Sequence, residues 1–183
     1  RKESSAASDV YKRQVVTLTA SCGLMLRFEW PLLLPENENI KKLSSNVMDI
    51  DEYVVDISNN EGLVEGLQEI DGGVTVHHAC HARAQNMGIK ARDMLKLIPN
   101  VKIDVVERCA GHGGTFGVMK ETHDLAIKVG RPTVRQIKTK NNKYMASDCP
   151  LAGKHLKQLE ADTNISNDEA LHPIELVAKS YRL

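Results

Sequence analysis

No apolar run in this sequence is long enough to cross a bilayer. A spanning helix needs roughly 18 apolar residues or more, and the best stretch, Leu24 to Leu34, is broken by Arg27 and Glu29. An excess of charge is missing as well. Lys plus Arg and Asp plus Glu both number 24, so there is no basic field to condense on a phosphate backbone. Aromatic residues make up only 4% of the chain, which leaves few stacking platforms for single strands. Nucleic acid is thereby set aside as a partner. Closely spaced cysteines are also absent: Cys22, Cys80, Cys109 and Cys149 are scattered along the chain. That is unlike the dense framework of a small secreted domain, and it lacks the pair a thiol–disulfide enzyme uses. A reducing compartment is expected, where cysteines in chemically unusual loops are more often metal ligands or reactive thiols.

What remains is an ordinary globular sequence, 183 residues long and 42% hydrophobic, enough for one substantial domain or two small ones. Residues 1–14 show no helical or strand period and resemble translated adapter sequence, so they are read as a non-native leader. Val15 to Thr19 follows as a β-branched buried strand. Leu24 to Leu33 reads as a buried helix ending near Pro35, and further helices are expected at Asn39–Val47 and Ile50–Ile57, the latter with Asp49 as N-cap. The stretch from Asn59 to Gly73 reads as a connector.

From Gly73 onward, strands and helices alternate. Strands are expected at Val74–His77, Val101–Val106 and Lys143–Ala146. A helix is expected where Ala91, Met94, Leu95 and Ile98 fall at i, i+3, i+4 and i+7. Others are placed at Val118–Val129, closed by Gly130 and Pro132, and at Pro150–Glu160 and Pro173–Tyr181. This alternation predicts an α/β fold with a mainly parallel sheet.

A weak internal repeat runs through it. A strand, a cysteine and a helix occur at Val15–Leu34 and again at Lys143–Leu159, and Ile50–Val55 echoes Pro173–Ala178. On this reading residues 15–70 are the C-terminal part of a first cysteine-rich repeat plus a connector, and residues 71–183 are a second repeat.

Each cysteine falls at or just beyond the C-terminal end of an expected strand. In an open parallel sheet those ends line one edge where ligands bind, so residues distant in sequence can meet there. Cys80, Cys109 and Cys149 are therefore read as sharing one metal site, and soft thiolate sulfur suits an iron–sulfur cluster or zinc. His81 beside Cys80, and His112 in the Cys109-Ala110-Gly111-His112-Gly113-Gly114 loop, are candidates for a further ligand ahead of Cys22. Gly111, Gly113 and Gly114 would let backbone N–H groups approach an anionic cluster. His77, at the end of a strand, reads as a satisfied core histidine. His77 and His81 stand at zinc-protease spacing, but His78 replaces the required Glu, and no Gly-Lys-Ser/Thr follows the glycine loop, so neither a protease nor a phosphate loop is indicated.

On these residues, the chain from Gly73 to Leu183 resembles the cysteine-rich (CCG) domain of the heterodisulfide reductase B-subunit family, and is nearest to its anaerobic-dehydrogenase iron–sulfur members. The family motif is a Cys, a distant Cys-Cys-Gly and a later Cys-x-x-Cys. Cys80 matches the first, Cys109-Ala110-Gly111 the second and Cys149-Pro150-Leu151-Ala152 the third. Cys22 resembles the last motif of a preceding copy. Ala110 and Ala152 stand where the pattern has two further cysteines, so three cysteines with a histidine or an open iron site fit better than a five-cysteine cluster. The resemblance implies an iron–sulfur cluster of the [4Fe-4S] kind in an electron-transfer subunit. It further implies a flavin-dependent dehydrogenase as electron donor, a membrane anchor or quinone as acceptor, and a ferredoxin-like part upstream. The location implied is cytoplasmic, peripheral on the inner face of the cell membrane through partner subunits. The alternative is a zinc-stabilised Cys₃His interaction module without redox activity.

Overall fold

The computed structural model describes residues 14–161 and 170–183, so residues 1–13 of the expected leader lie outside the described residues. Every strand pairing is parallel. Strand β1 (Val15–Thr17) pairs with β2 (Val47–Asp49). Strand β3 (Val74–His77) lies between β4 (Ile103–Val106) and β5 (Tyr144–Ser147), with Val74 opposite Ile103 on one side and Tyr144 on the other. All four residues of β3 are buried, as a central parallel strand covered on both faces requires.

The two-residue side-chain period of a strand then builds two cores. Val74, Val76, Tyr144 and Ala146 join Met94, Leu95, Ile98 and Leu176 in one apolar cluster. Val106 and Met145 join Val134, Ile137, Leu156 and Leu159 in the other. Helices consequently flank the sheet on both sides, and the chain has the α/β architecture its element pattern predicts. Ala91, Met94, Leu95 and Ile98, the apolar stripe of helix Lys90–Leu95 and the turn after it, are at most 2% exposed.

Several elements differ from the sequence expectation. The segment after β1 is helix Ala20–Leu24, a π-helical turn Met25–Glu29 and helix Trp30–Leu33. It is not a buried helix: Leu32 and Leu33 are 80% and 74% exposed. Only its start is packed, with Ala20 and Gly23 buried, and Leu34 at its end is 53% exposed as well. The next helix stops at Ser44, because Val47 to Asp49 leave it to pair with β1. Asp49 does cap the following helix, Ile50–Asn60, accepting from the Asp51 N–H. A short helix, Cys80–Ala84, was not expected.

The largest difference is the helix expected to end at Val129, which runs as Lys120–Lys140 straight through Gly130 and Pro132. An internal proline costs roughly 3 kcal/mol. Burial of Val134 and Ile137 against the second core offsets it, because packing of an apolar face outweighs local propensity. Asn141, in the left-handed region at φ 51°, closes the helix instead.

The order of parts recurs in the two halves. Strand β1, the Cys22 helix, the parallel strand β2 and a helix capped by Asp49 follow one another. So do β5, the Cys149 helix (Pro150–Ala161), a parallel bridge from Leu171 to Ala146 and a helix (Pro173–Ser180) capped by His172. No described helix is long and apolar enough to cross a membrane.

Candidate metal centre

The C-terminal ends of β3, β4 and β5 point the same way because the three strands are parallel, and each is followed within three residues by a cysteine. Cys80, Cys109 and Cys149 meet at one cavity of about 160 Å³, lined also by His81, His112, Gly113 and Gly114. Ala110 and Ala152 face the same cavity. Cys22 is exposed and is not among its lining residues, although its neighbour Ser21 is. The Cys22 helix instead packs on helix Cys80–Ala84, where Gln85 donates to the Ala20 carbonyl at 3.1 Å.

Each thiol has a donor at its sulfur. Arg83 reaches Cys80 Sγ at 3.2 Å, and the Gly111 N–H reaches Cys109 Sγ at 3.3 Å. The Cys149 sulfur receives the N–H groups of Ala152 and Leu151, in the first turn of helix Pro150–Ala161. Burial pushes the Cys149 thiol above its usual range; the Asp148 carboxylate and Cys80 add to the push, and the two N–H groups oppose it.

Two glycines seat the Cys109 loop. Gly111 has φ +81°, and a side chain there would run into the Ala126 carbonyl. A side chain on Gly130 would meet the Ala110 carbonyl oxygen at 2.5 Å. The loop therefore rests directly on the backbone of helix Lys120–Lys140, and Thr133 Oγ1 donates to the Cys109 carbonyl at 2.6 Å. The role of Gly130 is this close crossing, not helix termination.

The histidines divide by their hydrogen bonds. His77 has Ser147 Oγ at 3.0 Å on one ring nitrogen and the Arg108 carbonyl at 2.9 Å on the other, which makes it a satisfied core histidine. His112 Nε2 is buried without a hydrogen-bond partner among the described residues, whereas His81 is exposed. Two further acids, Asp49 and Asp51, are buried within reach of the Asp148 charge. Burial raises Asp49 to about 6 and Asp51 well above the ordinary carboxylate range, with the Asp148 carboxylate adding to both.

Three parts of this site escaped the sequence. Arg83 is exposed, and its guanidinium touches Cys80. Ser21 lines the cavity from the first half of the chain. Asp148 bonds both the Ala79 N–H and the His78 ring; only its position next to Cys149 could have drawn notice. Among the described residues no three His, Cys, Asp or Glu side chains stand at the spacing one metal ion takes.

Over 167 residues, 91% of this chain, the sequence is 26% identical to the C-subunit of anaerobic glycerol-3-phosphate dehydrogenase from Escherichia coli strain K12. It is similar to the same protein of Escherichia coli O157:H7 at the same identity and coverage. The chain spans 40% of the length of these curated relatives. Residues 74–157 match the cysteine-rich domain family, CCG, the domain that this stretch resembles in sequence.

Proposed function

We propose that this chain is part of an electron-transfer subunit in which Cys80, Cys109 and Cys149 hold an iron–sulfur cluster. The observation that carries the reading is the convergence of three soft donors, from three separate strand ends, on one small cavity. An iron–sulfur cluster held by three thiolates is an anionic group. The donors at each sulfur offset the negative charge such a group carries, and Gly113 and Gly114 keep one wall free of side chains.

A [4Fe-4S] cluster with three cysteines leaves one iron for another ligand. His112, with its orphaned Nε2, is the first candidate, ahead of His81 and Cys22. When bound, the cluster supplies one-electron transfer; the chain's residues fix its ligation, hydrogen bonds and burial, and through them its potential. The relatives' name, a dehydrogenase subunit, supports a role beside partner subunits in an anaerobic dehydrogenase or heterodisulfide-reductase-like complex. Electrons would pass from a flavin-dependent dehydrogenase toward a membrane anchor or quinone on the cytoplasmic face. The recurring order of strands and capped helices supports reading residues 15–70 as the C-terminal part of a first cysteine-rich repeat plus a connector, and residues 71–183 as a second repeat.

The test is anaerobic purification with iron, sulfide and zinc analysis, visible absorption and electron paramagnetic resonance after reduction. Iron and sulfide in near-equal amounts, with a reducible paramagnetic signal, are expected. Zinc without iron or sulfide would overturn the reading.

A further inference from the structure

Two of the three cavity cysteines stand at the surface. Cys80 and Cys109 are exposed and only Cys149 is buried, so a group held by all three lies near the outside of the fold. Electrons pass between proteins only where two centres come close, and an exposed pair of ligands offers such an approach. A second cleft of about 750 Å³ adjoins the cavity on this side, with His112 and Leu151 common to both.

Three cations border the opening. Arg83 touches Cys80 Sγ, and Lys120 and Lys154 line the cleft. All three are exposed, and none forms an ion pair with a described residue. The guanidinium of Arg83 carries five N–H donors, and its contact with Cys80 leaves others for a carboxylate brought from outside. One carboxylate, Asp124, lines the cleft with the lysines, while Glu107 and Arg108, just before Cys109, offset each other. The local balance is therefore positive, in a chain whose 24 basic and 24 acidic residues cancel overall.

In the wall of the same cleft two apolar side chains are left bare, Val118 at 71% exposure and Leu151 at 55%. An apolar centre with a charged rim is how protein interfaces are built. Unpaired rim charges select a partner and speed its approach more than they tighten its grip.

We infer that this face is the docking surface for a redox protein whose own centre is bordered by carboxylates, an inference that rests on the electron-transfer reading above. The partner's carboxylates pair with Arg83, Lys120 and Lys154, and its apolar surface covers Val118 and Leu151. One electron then crosses between the partner's centre and the cluster. As one is oxidised the other is reduced, and no bond is made or broken.

The test measures binding of the full chain, purified anaerobically, to two redox proteins of opposite charge by calorimetry at low salt. Plant-type ferredoxin is the acidic probe and cytochrome c the basic one. Ferredoxin is expected to bind and cytochrome c is not, and added salt should weaken the ferredoxin complex. The Arg83→Gln/Lys120→Gln/Lys154→Gln variant should bind ferredoxin about tenfold more weakly, the combined worth of three exposed ion pairs. Lys128→Gln/Arg131→Gln/Arg135→Gln makes an equal charge change at exposed positions farther along helix Lys120–Lys140, and should leave binding nearly unchanged. Should the Arg83 change lower the iron content, the Lys120→Gln/Lys154→Gln variant decides, with a loss of about fivefold. Stopped-flow oxidation of the reduced chain ties the surface to the cluster: ferricyanide should react more slowly as salt rises and tris(phenanthroline)cobalt(III) faster. Equal binding of the two proteins, no binding of ferredoxin, a loss as large in the distant variant, or one salt trend for both oxidants would overturn the inference. Zinc without iron or sulfide overturns the electron-transfer reading instead, and it shows in the metal analysis and not in the calorimeter.

Discussion

Asp148 Oδ2 lies 2.7 Å from His78 Nδ1, and both side chains are buried. The other carboxylate oxygen accepts the Ala79 N–H at 2.8 Å. The residue before Cys149 thus grips the two residues before Cys80, and the ends of β5 and β3 are tied together just where their cysteines leave the sheet.

Removing that tie should loosen the site as well as the fold. Asp148→Ala leaves a buried ring nitrogen and a buried N–H without their acceptor, a loss of roughly 3 kcal/mol. Asp148→Asn keeps one acceptor oxygen and should cost less. Urea unfolding ranks the two variants, and iron retained per chain should follow the same order.

Gly130→Ala sets two effects against each other. Helix propensity alone would stabilise the protein by about 1 kcal/mol. The added carbon, however, meets the Ala110 carbonyl at 2.5 Å, a backbone atom that can move only if the Cys109 loop lifts. A net loss of about 1 to 3 kcal/mol and a lower iron content are expected. A higher melting temperature would show that the loop is not seated on the helix.

The thiols should separate by reactivity once metal is removed. Cys22, Cys80 and Cys109 are exposed and Cys149 is buried, with its thiol pushed up by that burial. Iodoacetamide at neutral pH should modify the three exposed cysteines first, as read by peptide mass spectrometry. Cys149 should react only as the pH rises.

Serine substitution tests the ligand assignment. Cys80→Ser, Cys109→Ser and Cys149→Ser should each reduce bound iron severely, whereas Cys22→Ser should leave it nearly unchanged, because Cys22 does not line the cavity. Loss of iron from the Cys22 variant alone would reverse the assignment.

The buried acids give the stability a pH dependence of definite sign. Burial raises Asp49 to about 6 and also raises Asp51 well above its ordinary value. Above about pH 4 the unfolded chain releases both protons while the folded chain keeps them, so the native state binds more protons and stability falls as pH rises. For Asp49 the loss amounts to roughly 3 kcal/mol, complete above about pH 6. Asp51→Asn removes the ionisable group and should stabilise the protein at pH 7.5 much more than at pH 4.5. Denaturant midpoints at the two values check it.

The alternation of strands and helices was legible in the residues alone, because side-chain period and capping residues are local. Val74–His77 and the Asp49 cap could be read at sight, and so could the placement of each cysteine at a strand end. Local signals failed where distant contacts outweighed them. Gly130 and Pro132 spell a helix end, yet burial of Val134 and Ile137 carries the helix to Lys140. It took the folded chain to bring Cys80, Cys109 and Cys149 to one cavity without Cys22, and to leave a nitrogen of His112 unfilled. The fold also decided that Asp148 and Arg83 belong to the site. Those outcomes depend on the parallel register of β3, β4 and β5, which sets side by side residues that are about 30 to 70 positions apart in the chain, and no local pattern encodes that register.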